Sequence, residues 1–325
     1  MVTSLGTPVR ALASALAFLL VPIDAMAQAG PFPWAYPVSP PGVKPPVDDG
    51  ALHGVPGSTA AFSRSRLRDL FDTPDWHPGD HAPMPEIVSR GRKPDAFACA
   101  YCHLPSGHGR PENASLAGLP AGYIVQQMAD FKSGARRTAV PERLPSQFMS
   151  RVAVAARDDE VAAAAAYFAA LKPRSFLRVV ETAQVPRTRV TAWIVALLPA
   201  GGTEPIGQRI VEVPEDLERF ELRDGRATFV AYVPPGSITR GKDLVSTGGE
   251  GKTLACALCH GTDLKGVGLV PGIAGRSPSY VVRQLHDFRV AARAGPGAEQ
   301  MKPVVDGLGD GDLLSIAAFL ATLEP

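Results

Sequence analysis

The sequence has few sulfur-containing side chains and almost no net charge. Its 325 residues include four cysteines and six methionines, and two of the methionines precede residue 28. The formal net charge is +1, so no electrostatic argument favours nucleic acid or an acidic membrane as a partner. Beyond residue 27 no apolar run is long enough to span a bilayer, and we expect no transmembrane segment in the mature chain.

All four cysteines lie in two motifs of the same form. Residues 99–103 read Cys-Ala-Tyr-Cys-His and residues 256–260 read Cys-Ala-Leu-Cys-His. Both fit C-x-x-C-H, the covalent attachment site of c-type haem, in which two thiols bind one porphyrin and the histidine ligates its iron. The motifs predict two covalently bound haem c groups. The attachment residues are Cys99, Cys102, Cys256 and Cys259, and the proximal ligands are His103 and His260.

A zinc site or plain disulfide bonds are the alternative interpretations of the two cysteine pairs. A zinc site would have to combine pairs that lie 157 residues apart in the sequence. The histidine that directly follows each pair favours haem attachment.

Residues 1–27 have the pattern of a secretory signal. Arg10 supplies the positive start, residues 11–23 form an apolar run, and residues 25–27 read Ala-Met-Ala, a small-residue cleavage site. We therefore expect a mature chain that begins at Gln28 in the periplasm, since c-type haem is attached outside the cytoplasm. A membrane anchor is the alternative, although the apolar run is short for a span.

An internal repeat sets the expected architecture. A shift of 157 residues superposes about fifty positions without a gap, both cysteine motifs included. The repeat predicts one fold used twice, in residues 85–173 and 240–325. In each unit we expect a short helix, the motif, a loop, an amphipathic helix and a closing helix. The predicted amphipathic helices span 123–131 and 280–288, and the predicted closing helices span 158–171 and 310–323.

The remaining segments have a different composition. Residues 28–84 begin with many prolines and glycines and are expected to form an extended arm. Phe32, Trp34 and Tyr36 are candidates to hold this arm on a domain surface, and a disordered leader is the alternative. Residues 174–239 are expected to form a β-containing connector. Its predicted strands lie at 189–195, 209–213 and 228–233.

Two methionines are the predicted sixth ligands of the haem irons. A thioether is the usual second axial ligand in electron-transfer cytochromes, because it raises the reduction potential. Met149 and Met301 each stand 24 residues before the proline that ends their unit, Pro173 or Pro325. The sequence therefore predicts iron coordination by His103 with Met149 and by His260 with Met301. Met128 is expected to pack in the core.

The first unit offers other ligands if Met149 only fills the core. Met84, His77 and His81 are these alternatives. His108 and His286 are predicted to be surface residues. For the proximal histidines we expect a backbone carbonyl to accept a hydrogen bond from the second ring nitrogen. The candidates are the carbonyls of Pro271 for His260 and of Ala114 for His103.

With these residues in place, the sequence resembles the soluble two-domain, di-haem bacterial cytochromes c of class I. The resemblance rests on both C-x-x-C-H motifs, the Pro-x-Ile-Ala-Gly loop at 271–275, the Tyr…Gln…Asp-Phe helix, the methionine before the last helix, and that helix's aromatic pair at 167–168. The first unit departs from the family pattern twice, because Leu104 stands in place of glycine and Ala114 in place of the loop proline.

The expected fold is mainly α. Two tandem cytochrome c domains, 85–173 and 240–325, are joined by the β-containing connector at 174–239 and preceded by the arm at 28–84. The resemblance implies one low-spin haem in each unit and an electron carrier, or an electron-transfer subunit, in the periplasm. The expected donor is a dehydrogenase, and the expected acceptor is a cytochrome or an oxidase. Association with a membrane-bound complex stays open.

Two other functions are alternatives. The first is a di-haem, peroxidase-like oxidoreductase with one open iron coordination site. The predicted pair of axial methionines argues against it. The second is a haem-free interaction module held together by disulfide bonds or zinc.

Overall fold

The computed structural model describes residues 1–2, 30–40, 42 and 47–325. The predicted secretory signal at 1–27 lies outside these residues, apart from its first two positions. Within the described part, none of the helices combines the length and the apolar composition that a bilayer span requires.

The described residues before the first unit pack on two different parts of the chain. Tyr36 is buried against the second unit, and its hydroxyl donates to Oδ1 of Asp287 at 2.8 Å. Trp76 is also buried, and its Nε1 donates to the Leu222 carbonyl at 2.7 Å. Between them lies a short antiparallel pair of strands, β1 (Leu52–His53) and β2 (Phe62–Ser63).

Five helices form the first unit. They are α1 (Glu86–Ser89), α2 (Cys99–His103), α3 (Ala121–Ser133), α4 (Leu144–Ala155) and α5 (Asp158–Ala170). The predicted helices at 123–131 and 158–171 correspond to α3 and α5. The first turn of α5 is capped because a carboxylate oxygen of Glu160 accepts from the backbone N–H of Arg157 at 2.8 Å. The sequence did not predict α4, which carries Met149.

The connector contains strands and one short helix. They are β3 (Leu177–Glu181), β4 (Gln184–Pro186), β5 (Thr188–Thr191), β6 (Ile194–Leu197), β7 (Thr203–Pro205), β8 (Val211–Pro214), α6 (Leu217–Glu221) and β9 (Phe229–Val233). In the three-stranded sheet, β9 lies between β3 and β8, parallel to β3 and antiparallel to β8. The other strands pair as β4 with β7 and β5 with β6.

One predicted strand of the connector is a hairpin instead. The predicted strands at 209–213 and 228–233 correspond to β8 and β9, but the stretch 189–195 divides into β5 and β6. The backbone of Ala192 has a φ of 47°, a left-handed conformation that ends the first strand. The chain therefore turns back at Ala192 and Trp193, which the β-branched composition of the stretch did not reveal.

The second unit repeats the helical plan of the first. Its elements are α7 (Ser237–Thr247), α8 (Ala257–His260), β10 (Gly266–Val267), β11 (Val270–Pro271), α9 (Pro278–Arg289), α10 (Lys302–Asp306) and α11 (Asp310–Ala321). The predicted helices at 280–288 and 310–323 correspond to α9 and α11.

Each helical unit has its own apolar core. In the first unit Val88, Ile124 and Phe168 join the opening, amphipathic and closing helices. In the second unit Val245 and Val282 do so together with residues of α11. Two cores with the same helix pairing show that the chain folds as two similar helical units.

The closest helix crossing of the second unit depends on a glycine. Helices α7 and α11 meet at Gly241, where an added Cβ would overlap the backbone carbonyl of Ser315 and lie 2.8 Å from Cβ of Phe319. Neither backbone can retreat without breaking the core behind it. Only a residue without a side chain fits at this crossing.

The substitution Gly241→Ala is expected to lower the free energy of unfolding by about 1–3 kcal/mol, because the added methyl group over-packs the crossing of α7 and α11. Chemical unfolding of the haem-loaded protein measures this. Gly311→Ala in α11 is the matched control, since a Cβ there meets no atom within 4 Å. A G241A protein as stable as the G311A protein would contradict the proposed close packing.

Candidate haem sites

Each cysteine motif forms a short helical turn that ends in an unusual backbone conformation. Residues 99–103 form α2, and the turn of the second motif ends with α8. The next residue has a positive φ in both units, 63° at Leu104 and 84° at Gly261. Glycine adopts this conformation freely, whereas leucine is strained in it. The departure from the family pattern at position 104 therefore changes the residue but keeps the turn.

Both motif histidines are held by the predicted carbonyls. Nδ1 of His103 lies 2.8 Å from the Ala114 carbonyl oxygen, and Nδ1 of His260 lies 2.7 Å from that of Pro271. A carbonyl only accepts, so Nδ1 carries the proton and the lone pair of Nε2 is left for a metal. Burial lowers the pKa of both imidazoles, which keeps them neutral. The prediction made for these two carbonyls is confirmed.

No disulfide bond joins any of the four cysteines, all of which the structure describes. Burial raises the pKa of Cys99 to about 12 and that of Cys256 to about 11, so before haem attachment both side chains are neutral thiols at neutral pH. In the part of the chain that the structure describes, no three histidine, cysteine or acidic side chains come together as a metal-binding group. The thiols are thus arranged as two separate pairs, as attachment to two porphyrins requires.

A cavity of about 350 Å³ in the first unit brings together the four site residues predicted for that unit. Its wall includes Cys99, Cys102 and His103 from α2, and Met149 from α4. Met128, predicted as a core residue, also lines this cavity, and its core role stays a prediction. The thiols, the imidazole and a thioether in one wall fit a covalently attached haem.

The alternative ligands of the first unit are engaged elsewhere. Nε2 of His77 lies 2.9 Å from Oδ1 of Asp224, and both ring nitrogens of His81 contact oxygen atoms. Met84 packs against the core of the first unit. In the second unit Met301 ends a 3-10 turn that leads into α10, and its pairing with His260 stays a prediction.

Two histidines predicted at the surface are buried. Nε2 of His108 accepts a hydrogen bond from the backbone N–H of Arg174 at 3.0 Å. His286 packs edge-on against Phe32 and Tyr36, which cover α9. The prediction was wrong because contacts from the connector and from the arm bury these rings, and neither contact is local in sequence.

A reciprocal hydrogen-bond network joins the two units. Arg136 donates to Tyr280 Oη at 3.1 Å and to Gln284 Oε1 at 3.0 Å. Its counterpart Arg293 donates to Tyr123 Oη and to Gln127 Oε1, both at 2.8 Å. The backbones of the two arginines also form an antiparallel bridge.

Sequence reasoning attributed these matched positions to a shared fold and missed that they touch. The signal was present, because the same tyrosine, glutamine and arginine recur at a shift of 157 residues. Tyr280, Gln284 and Asp287 of the second unit also line the cavity of the first. The network therefore lies directly beside the first haem site.

The connector and the N-terminal segment also reach the first site. Trp193 of the hairpin, Arg223 and Leu70 belong to the cavity wall. Arg223 lies over the Tyr101 ring at 3.7 Å and donates to the Tyr101 carbonyl at 2.9 Å. The first site is thus covered by segments outside the two repeats.

No family model matches the chain. The thiosulfate dehydrogenase electron acceptor of Stutzerimonas stutzeri is 25% identical to this chain over 236 residues. These residues are 72% of this chain and 82% of the relative. The chain is 26% identical over 249 residues, 75% of this chain and 91% of the relative, to cytochrome c4 of Azotobacter vinelandii. Cytochrome c-554(548) of Halomonas halodenitrificans is 36% identical over 77 residues, 23% of this chain and 93% of the relative.

The double variant Cys99→Ala, Cys102→Ala is expected to lose one haem, because no sulfur is left to attach it in the first unit. Mass spectrometry of the exported protein measures the loss as the mass of one porphyrin. The matched variant Cys256→Ala, Cys259→Ala should lose the other. Either variant retaining two covalently bound haems would contradict the attachment sites.

Proposed function

Given that the chain belongs to the di-haem class I cytochromes c, we propose that it accepts electrons from a periplasmic dehydrogenase and passes them to a downstream respiratory acceptor. It carries two covalently bound haem c groups, and each supplies an iron that changes its charge by one electron. The protein's own residues attach these groups, keep the proximal imidazoles neutral and hold the two sites in a fixed arrangement. The relatives' names support electron transfer with a dehydrogenase.

The observation that carries the proposal is the network between Arg136 and Arg293. It connects matched residues of both units and lines the first cavity, so the two sites lie in one body rather than on independent domains. A fixed pair of redox sites suits a relay within one chain. The match to cytochrome c-554(548) is about as long as one unit, 77 residues, whereas the match to cytochrome c4 covers 75% of this chain.

We assign the axial ligands as His103 with Met149 and His260 with Met301. The presence of His103 and Met149 in one cavity wall supports the first pair, and the repeat supports the second. The proposed organisation is a cleaved signal at 1–27, an arm at 28–84, cytochrome domains at 85–173 and 240–325, and a connector at 174–239. Export to the periplasm follows from the signal and from the site of haem attachment.

Thiosulfate dehydrogenase defines the class of donor that we propose, because a relative is named as its electron acceptor. Oxidised protein mixed with a thiosulfate dehydrogenase and thiosulfate should become reduced at both haems, as followed by visible absorption. The same mixture without thiosulfate is the control. No reduction above that control would overturn this donor class.

Carbon monoxide is expected to leave the spectrum of the reduced protein unchanged, because the assigned histidine and methionine pairs would leave no open coordination position on either iron. A marked shift on adding the gas would instead indicate an open iron and a peroxidase-like enzyme. This measurement separates the two functions without knowledge of the donor.

Replacing Met301→Ala should abolish the weak near-infrared band of one haem and leave the band of the other, because that band requires thioether coordination. Met149→Ala should remove the other band. Met128→Ala is the matched control, since Met128 lines the same cavity as Met149 but is not assigned as a ligand. Retention of both bands in M149A and M301A would show that these ligand assignments are wrong.

A further inference from the structure

The wall of the first cavity carries more positive than negative side chains. The arginines are Arg68, Arg136, Arg137, Arg143, Arg223 and Arg283, and the carboxylates are Glu112, Glu160 and Asp287. Two of these carboxylates form ion pairs with arginines that do not line the cavity. Glu112 pairs with Arg110, and Glu160 pairs with Arg92. The cavity is therefore built to receive negative charge.

Arg143 differs from the other buried arginines of this wall. Only 2% of its surface is exposed. Its Nη1 and Nη2 reach the carbonyls of Glu112 and Trp193, each at 3.4 Å, which is long for a hydrogen bond. Its Nε has no hydrogen-bond partner in the described part of the chain. Among the described residues, no carboxylate lies within ion-pair distance of this guanidinium.

A buried cation without a counter-charge is costly. Removing such a group from water costs several kcal/mol, which a protein normally offsets with an opposite charge and good hydrogen bonds. Arg283 donates to the Ala35 carbonyl at 2.6 Å and Arg223 to the Tyr101 carbonyl at 2.9 Å. Among the residues that the structure describes, Arg143 has no comparable contact, so its guanidinium is left to pair with a bound anionic group.

We propose that Arg143 pairs with a propionate carboxylate of the first haem. The planar guanidinium suits a carboxylate, which it binds through two parallel N–H groups. The inference rests on the assignment of a haem to this cavity, and it goes beyond that assignment by naming a charge partner for the group. Arg143 immediately precedes α4, so the same contact fixes the start of the helix that carries Met149.

The second unit has no equivalent of this arginine. Arg143 stands six residues before the assigned ligand Met149. Gly295 stands six residues before the assigned ligand Met301, so it is the corresponding residue of the second unit. Any effect of replacing Arg143 should therefore be confined to the first haem. The second haem serves as an internal reference in every measurement.

Redox titration of the haem-loaded Arg143→Gln protein tests the proposal. A cation near the iron favours the reduced state, so its loss should lower the midpoint potential of the first haem. The freed propionate should also bind a proton more readily on reduction, so this potential should fall as pH rises through neutrality. The second haem should keep its wild-type potential, and so should both haems of a control variant, Arg137→Gln, at the exposed arginine of the same wall.

Charged and titratable groups around Arg143 also bear on the pH profile. They are Arg283, Glu112, Tyr36 and Asp287. These groups are unchanged in both variants, so a difference between R143Q and R137Q reports on the guanidinium itself. A wild-type potential and pH profile in R143Q would overturn the proposal, as would an equal shift in R137Q, which indicates a general charge effect.

Arg143→Lys keeps the assay usable if R143Q does not retain haem. The ammonium preserves the charge but cannot form the paired contact. With isotopically labelled propionates, the infrared carboxylate bands of the first haem should shift in R143K and not in R137Q. Unchanged carboxylate bands in R143K would overturn the proposal. Reduction of the protein by the donor dehydrogenase tests the proposed electron-transfer function independently of the Arg143 contact.

Discussion

The hydrogen bond from each motif histidine to a carbonyl eleven residues further along the chain is the constraint on which both haem sites depend. It fixes the proton on Nδ1, directs Nε2 into the site and closes the loop that follows the cysteines. The acceptor is a backbone group, so the side chain that bears it is free to vary. Ala114 therefore serves in the first unit where Pro271 serves in the second, and the loss of the loop proline leaves the histidine's orientation unchanged.

The two sites share this hydrogen bond but differ in the residues that surround them. The first is covered by Trp193 and Arg223 from the connector and contains Arg143, for which the second unit has Gly295. Haem potentials respond to burial and to nearby charge. The repeat thus supplies two similar coordination sites, and the segments outside the repeat make their surroundings different. Such a difference gives a relay its direction, because electrons move toward the site of higher potential.

The features that could be predicted from sequence are the local and the repeated ones. The C-x-x-C-H spacing, the amphipathic helices and the carbonyl acceptors each depend on residues close together in the chain. The hairpin turn at Ala192 is an exception, because it is local but was concealed by the β-branched composition around it. The burial of His108 and His286 depends on contacts from distant segments. Periodicity within one stretch carries no information about such contacts. The match between Arg136 and Arg293 could be seen in the repeat. A sequence alignment does not distinguish a residue that recurs because each unit needs it to fold from one that recurs because the two units contact each other through it.

The reciprocal network shows why polar residues recur at that interface. Each guanidinium reaches across to the other unit while it lies over a phenylalanine of its own unit, Arg136 over Phe131 at 4.6 Å and Arg293 over Phe288 at 4.3 Å. Hydrogen bonds to charged groups contribute about 1.5–3 kcal/mol each when buried, and they have strict directions. An apolar interface of equal area would hold the units together but let them slide. Because each arginine needs both the ring behind it and the tyrosine and glutamine opposite, only one relative placement satisfies all of them. The two helical units are consequently held in one relative placement.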